Sequence, residues 1–220
     1  NGVGASSHPG GWVSDVIAPL PRPAHLGDDP GVDPRIVGPG PRSRPIVLPL
    51  LSMTDRANRL GIAIAGAGHS GSTLLGLVLG SHERAFYAGE ATTTTFIGDA
   101  SKPMQKRVCK ICGPSCVVWS RFSSPPEPDL FEHLARLTGR DVIIDSTKLP
   151  DWIRARRDEL DAAGVPHKTL YLTRDGRAVV NSRVRKYRDR DPAAVIEEWL
   201  RQIEAPEALA AERPADTLRV

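Results

Sequence analysis

The sequence predicts an α/β fold in which a parallel sheet lies between layers of helices. Three observations predict it. Short apolar runs at 61–66 (GIAIAG), 141–145 (DVIID) and 168–174 (KTLYLTR) have the length and composition of buried strands. The stretches between them are long enough for helices and carry apolar faces. Strands that alternate with helices pair in parallel, because a parallel crossover needs a helix-length connection. No internal repeat interrupts this order.

The elements follow one another from the amino end. Residues 1–58 are dense in proline and glycine, as in PLPRPAHLGDDPGVDPRIVGPGPRSRP. Such a segment buries too little apolar surface to offset its ordering entropy, and disorder is expected. Met53 stands just ahead of the first strand and is the expected true start, with the upstream segment an extension. The ordered domain is expected over 59–220. After strand 61–66 comes a helix over 72–82. Strand 141–145 leads into a helix over 149–164, with Pro150 near its start and Gly164 at its end. Strand 168–174 leads into a helix at GRAVVNSRVRK, and another helix follows within PAAVIEEWLRQIEAPEALAA. TLRV at 217–220 opens a further strand. A buried strand is an unusual last element, so a C-terminally incomplete domain is expected.

Composition narrows the function classes. The formal net charge is +3, with acidic and basic residues interleaved, which argues against a nucleic-acid partner. The local basic cluster from Arg174 to Arg190 suits a small anionic ligand better. The longest early apolar run, IVLPLLSM at 46–53, is short and holds a proline. It can neither span a bilayer nor serve as the core of a signal peptide. A cytoplasmic protein without a membrane span is expected. The three cysteines, Cys109, Cys112 and Cys116, lie too close together and are too few for a disulfide framework.

The stretch GAGHSGST, 66–73, sits between a strand and a helix, the setting of a phosphate-binding loop. Gly66, Gly68 and Gly71 let the backbone turn tightly and approach a ligand. Free N–H groups at the helix start, aided by the helix dipole, then face an anion. Ser70, Ser72 and Thr73 add hydroxyls. Ser72 stands where the lysine of a nucleoside-triphosphatase loop belongs, which argues against ATP or GTP hydrolysis. His69 is the nearest cation-capable side chain. It either supplies a pH-dependent charge or only shapes the loop.

HSGSTLLGLVLGSH resembles the 5′-phosphosulfate loop of sulfotransferases that use 3′-phosphoadenosine-5′-phosphosulfate (PAPS), with His69 in the basic position. YLTRDGRAVVNSRVRK resembles that family's second signature, an arginine at a strand end and a serine eight residues on, here Arg174 and Ser182. The resemblance spans about 61–186. It implies a P-loop-like three-layer fold, PAPS as co-substrate and adenosine 3′,5′-bisphosphate as product. It implies Gly68, His69, Ser70, Gly71, Ser72 and Thr73 around the 5′-phosphosulfate and Arg174 with Ser182 on the 3′-phosphate. Most members carry lysine or arginine where His69 stands. Read from the residues alone, Arg174 at a strand end faces the ligand crevice of an open sheet, and its fork grips phosphate well.

Three residues are candidates for catalysis. His69 would contact the bridging oxygen or the 5′-phosphate. Glu90, in YAGEATT, resembles the general base that follows a glycine in protein-tyrosine and related sulfotransferases; the alternative is a solvated loop glutamate. Lys148, in VIIDSTKLPDW, resembles the D-S-S-K segment of bacterial members and would stabilise charge on the moving sulfuryl group. Its alternative is a helix-start lysine paired with Asp145 or Asp151. CKICGPSCVVW reads as buried thiols or one disulfide ahead of a zinc site, because only three ligands are local and His82 is an unsupported fourth. No metal is assigned.

A sulfotransferase acting on a small-molecule or glycan hydroxyl, or an amine, is therefore the leading expectation. A P-loop nucleotide or sugar kinase and a non-catalytic module built on the cysteines are the alternatives. The segment 92–128 is expected to shape the acceptor side.

Overall fold

A computed structural model gives the structure, which describes residues 55–109, 112–122 and 129–220. The expectations for disorder over 1–54 and for Met53 lie outside the described residues. In chain order the elements are β1 (Leu60–Gly66), α1 (Ser72–Gly80), β2 (Ala85–Tyr87), α2 (Met104–Arg107), α3 (Leu130–Thr138), β3 (Val142–Asp145), α4 (Pro150–Ala162), β4 (His167–Leu172), α5 (Gly176–Lys186), α6 (Pro192–Glu212) and β5 (Thr217–Arg219). The strands form one all-parallel sheet in the order β2-β3-β1-β4-β5. This is the α/β class that the alternation predicts.

Side chains alternate across the sheet, as the period of a strand requires. On one face Ile64 and Ile144 are buried with Ile62, Leu170 and Leu172 against Leu75 and Leu79 of α1. On the other, Ile143 packs on Phe131 and Leu134 of α3 and Leu160 of α4. Ala65 and Ala63 meet Ile153 of α4 and Leu209 of α6 there. The small residues of β1 let α4 and α6 approach closely. Gly61 is one such position, where any side chain would run into Leu160.

The local signals place most helix ends. Pro150 opens α4 and Gly164, at φ 65°, follows its end. Asp175 caps α5 by accepting from the Arg177 N–H at 2.8 Å. Asp191 caps α6 through the Ala193 and Ala194 N–H groups.

Several expectations need correction. β4 ends at Leu172, so Arg174 stands two residues past the strand rather than closing it. α1 stops at Gly80, short of His82, where the Ser81 hydroxyl donates to the Val78 carbonyl at 2.6 Å. β3 begins at Val142, while the Asp141 side chain is drawn off to Arg84 at 2.6 Å. The last strand, Thr217–Arg219, pairs in parallel with β4. β2 and α3 were not anticipated. Three residues make β2 too short for a periodic signal. α3 buries Leu130, Phe131, Leu134 and Ala135 and ends at Gly139 in the left-handed region. That spacing and cap are visible in LFEHLARLTG once sought.

The ordered chain also begins ahead of the expected boundary at Arg59. Asn58 is fully buried. The Ala57 and Asn58 N–H groups donate to the Glu132 carboxylate at 3.0 and 2.9 Å, and Arg136 reaches the same group at 2.6 Å. Burial raises the Glu132 carboxyl, but those N–H groups with Arg136 and Arg56 outweigh it and the net shift is downward from 4.5. A lowered acid contributes stability above its unfolded value and loses it as the pH falls through the folded value. Glu132→Gln should therefore cost about 1–3 kcal/mol at neutral pH, with the difference from the parent shrinking below the ordinary glutamate range. Urea titrations on both sides of that range check this; a pH-independent difference would exclude the assignment.

Among the described residues no helix is long and apolar enough to cross a membrane.

Candidate functional site

In a parallel sheet every strand delivers its carboxyl end to the same edge. The turns after β1, β2, β3 and β4 therefore emerge together. The chain leaves β1, crosses to the far edge for β2, returns through β3 beside β1, and then passes to β4 on β1's other side. Such a reversal opens a crevice at the strand ends, where open α/β sheets bind ligands. The residues expected to hold phosphate, Gly68 to Thr73, come from the turn after β1 and the start of α1, Glu90 from the turn after β2, Lys148 from that after β3, and Arg174 from that after β4.

The turn after β1 is held in an unusual backbone shape. Gly66 has φ 144°, and a Cβ there would stand 2.5 Å from the Leu172 carbonyl oxygen. His69 has φ 68°, the one non-glycine residue with positive φ among the described residues, and Gly71 has φ 104°. These left-handed turns bend the loop around its own N–H groups. α1 starts at Ser72 with no side chain capping it. Its first-turn N–H groups thus remain directed out of the helix end, the arrangement that favours an anion. Ser70 and Ser72 are buried in the loop and Thr73 is exposed.

The turn after β4 meets this loop directly. The Arg174 guanidinium donates to the His69 carbonyl at 3.1 Å. The His69 Nδ1 lies 3.0 Å from the Ser182 hydroxyl on α5. Tyr187, just past α5, sets its ring edge-on to His69 at 5.8 Å. Gly68, His69, Ser182 and Arg174 are therefore one cluster, drawn from residues more than a hundred positions apart.

Burial, and then Lys186, Arg183, Lys148 and Arg174, hold the His69 imidazole below its ordinary 6.5. This shift disfavours the charged form of the imidazole. Positive charge at the site comes from the lysines and arginines around it instead.

Lys148 and Glu90 form a pair, with Nζ to Oε1 at 2.8 Å. Lys148 also donates to the Ser146 carbonyl at 3.0 Å. The alternative partners Asp145 and Asp151 are engaged elsewhere. Asp151 meets Arg154. Asp145, buried at the end of β3, accepts from the Ala91 and Thr147 N–H groups at 2.9 and 2.7 Å and from the Trp152 indole at 2.7 Å. It thereby ties the Glu90–Ala91 turn to the Thr147–Lys148 turn. Burial pushes the Asp145 carboxyl up, and the donors aimed at it act in the opposite direction.

Sequence reasoning missed the groups that support the loop from behind. Arg183, whose side chain is 3% exposed, donates to the Gly68 carbonyl at 3.0 Å and to the Gln202 amide oxygen. The same amide oxygen accepts the Gly68 N–H at 3.0 Å. Gln202 in turn donates to Glu198 at 3.1 Å, and Glu198 pairs with Arg190 at 2.6 Å. Gly68 is thus clamped on both its N–H and its carbonyl by α5 and α6. The only signal in the sequence was a basic residue next to Ser182, one among several in that helix.

The cysteines gather in the segment after Glu90. Cys109 is half-buried, Cys112 exposed and Cys116 buried, all three as free thiols. Their sulfurs lie within 4.8 Å of one another. His82 is not with them; its Nδ1 accepts the Arg84 N–H at 3.1 Å.

What the arrangement can do chemically follows from its parts. The uncapped N–H groups at the start of α1, with the Arg174 guanidinium beside them, can bind phosphate esters, while an adjacent lysine–carboxylate pair can move a proton and steady a developing charge. No protein-family model matches this chain, and no curated protein matches it.

Proposed function

We propose that this chain is the nucleotide-binding and catalytic domain of a PAPS-dependent sulfotransferase, acting on a hydroxyl or amine of a small-molecule or glycan acceptor. One observation carries the reading: the phosphate-type loop and the Arg174/Ser182 pair touch at the carboxyl edge of one parallel sheet. A single doubly phosphorylated adenosine can then meet both, its 5′ end on Gly68–Thr73 and its 3′-phosphate on Arg174 and Ser182.

The residues divide the work as follows. Loop N–H groups and the hydroxyls of Ser70, Ser72 and Thr73 hold the 5′-phosphosulfate. Glu90 takes the proton of the acceptor hydroxyl as its oxygen bonds to sulfur. Lys148 and His69 stabilise the bridging oxygen, which departs on the 5′-phosphate of adenosine 3′,5′-bisphosphate when its bond to sulfur breaks. Ser72 in place of a lysine leaves the loop without the group that reaches the γ-phosphate of ATP, which disfavours the kinase reading. Three free thiols suit a cytoplasmic setting.

Calorimetric titration with adenosine 3′,5′-bisphosphate tests the reading. We expect saturable binding, with ATP at least tenfold weaker because it lacks a 3′-phosphate for Arg174. Anionic phosphate should draw the His69 pKa upward, so affinity should rise as the pH falls toward the ordinary histidine value. Equal binding of ATP, or no binding of either, would remove the 3′-phosphate assignment.

A further inference from the structure

Beyond the 3-10 turn Ala91–Phe96, which buries Ala91 and Thr94, the chain to Phe122 has almost no core of its own. Between residues 97 and 122 the buried ones, among those described, are Cys116 and Phe122. Its regular elements are the four residues of α2 and a 3-10 turn at Trp119–Arg121. One end is anchored, since Trp119 packs on Phe86 and Phe122 with ring centroids 5.9 and 5.3 Å apart. Short stretches with so little apolar burial commonly need a cross-link or a metal to hold one shape.

The backbone at the cysteines converges the three sulfurs. The Gly113 N–H donates to the Cys109 carbonyl at 3.0 Å, and the two residues form an antiparallel bridge. Gly113 sits at φ 68°, which turns the chain back after Cys112. The Cys112 N–H points at the Cys109 sulfur at 3.5 Å. The Cys116 N–H donates to the Gly113 carbonyl at 3.4 Å and folds the third thiol inward.

We infer that Cys109, Cys112 and Cys116 form a thiolate site for a zinc ion that staples the segment following Glu90. A tetrahedral zinc with bonds of about 2.3 Å holds its sulfurs about 3.8 Å apart. The sulfurs here lie within 4.8 Å of one another, so a closure of about 1 Å completes three corners. A disulfide would use two of these sulfurs and leave the third without a role. N–H groups directed at the sulfurs offset thiolate charge, as the outer shell of a metal site does. Zinc replaces the thiol protons, which leave to the buffer, and no oxidant is involved. Three protein ligands leave one coordination position for water or an added ligand. The sequence spacing alone favoured thiols over metal, and the mutual approach of all three sulfurs reverses that preference. The inference does not depend on the proposed sulfotransferase activity.

The test uses the full chain purified under reducing conditions. Atomic emission after dialysis should give one zinc per chain. Titration of metal-free protein with Co²⁺ should produce thiolate charge-transfer and tetrahedral ligand-field bands that zinc abolishes. Cys112→Ser, at the exposed corner, should weaken zinc binding by roughly a hundredfold or more. Because Cys116→Ser removes a buried group and can disturb folding, protection of the three thiols from alkylation by zinc in the unmodified chain is the second readout. A reduced protein that takes up neither zinc nor Co²⁺ would overturn the inference, as would full zinc content in Cys112→Ser or alkylation unaffected by zinc.

Discussion

Arg174→Ala should weaken binding of adenosine 3′,5′-bisphosphate by about 3 kcal/mol, roughly a hundredfold, while leaving the fold intact. The size follows from what a guanidinium does for a phosphate. Two charge-assisted bonds run in parallel from a rigid fork, and removing one partner leaves the other's charge without a counterpart. The fold should tolerate the change because Arg174 is exposed and, among the described residues, donates one hydrogen bond, to the His69 carbonyl. Ser182→Ala removes one hydroxyl and should cost about 1 kcal/mol. Arg174→Lys keeps the charge without the fork and should fall between parent and alanine variant. Calorimetry with the bisphosphate, and with adenosine 5′-phosphate as control, reads the result. The 5′-phosphate alone should bind weakly to parent and variant alike. If Arg174→Ala binds the bisphosphate as the parent does, the 3′-phosphate contact is wrong.

Arg183→Met should destabilise the domain by about 3 kcal/mol and also weaken bisphosphate binding. Arg183 is almost wholly enclosed and stands between Glu198, Gln202 and the Gly68 carbonyl. Burial opposes its charge, and Glu198 at 3.6 Å acts to restore it. Methionine fills much of the volume but leaves Glu198 without one of its cations and the Gly68 carbonyl without this donor. Breaking one partner of a buried pair costs more than the pair itself contributes. For a domain of this size the loss corresponds to a fall in Tm of roughly 6–12 °C. The binding loss separates a positioning role from a purely structural one. Gly68 lies at the centre of the loop, so releasing its carbonyl loosens the N–H groups beside it. A variant that melts lower yet binds the bisphosphate with unchanged affinity would show that the clamp supports only the fold.

These two residues also mark the limit of what can be read from a one-dimensional pattern. Arg174 and Ser182 are separated by eight positions across one turn and half a helix, so their relation is local and was legible. Arg183 follows Ser182 directly, yet nothing adjacent to it indicates that it faces Gly68, 115 positions earlier. Its role exists only where α5 and α6 pack behind the loop. The same distinction holds for Glu90 and Lys148. Each was a candidate from its own neighbourhood, but their pairing across 58 positions depends on β2 and β3 being neighbours in the sheet. β2 itself is three residues long and carries no period to detect.

By itself the sequence determined the parallel α/β class, the glycine-rich turn after β1, and the helices after β3 and β4. All of these rest on interactions within one turn or one strand, where spacing fixes geometry. The tertiary structure alone decided the strand order, the downward shift of the His69 imidazole, the Arg183–Gln202 clamp and the meeting of three cysteine sulfurs. Each of those depends on which surfaces exclude water together, and burial and long-range proximity are properties of the packed chain, not of any segment of it.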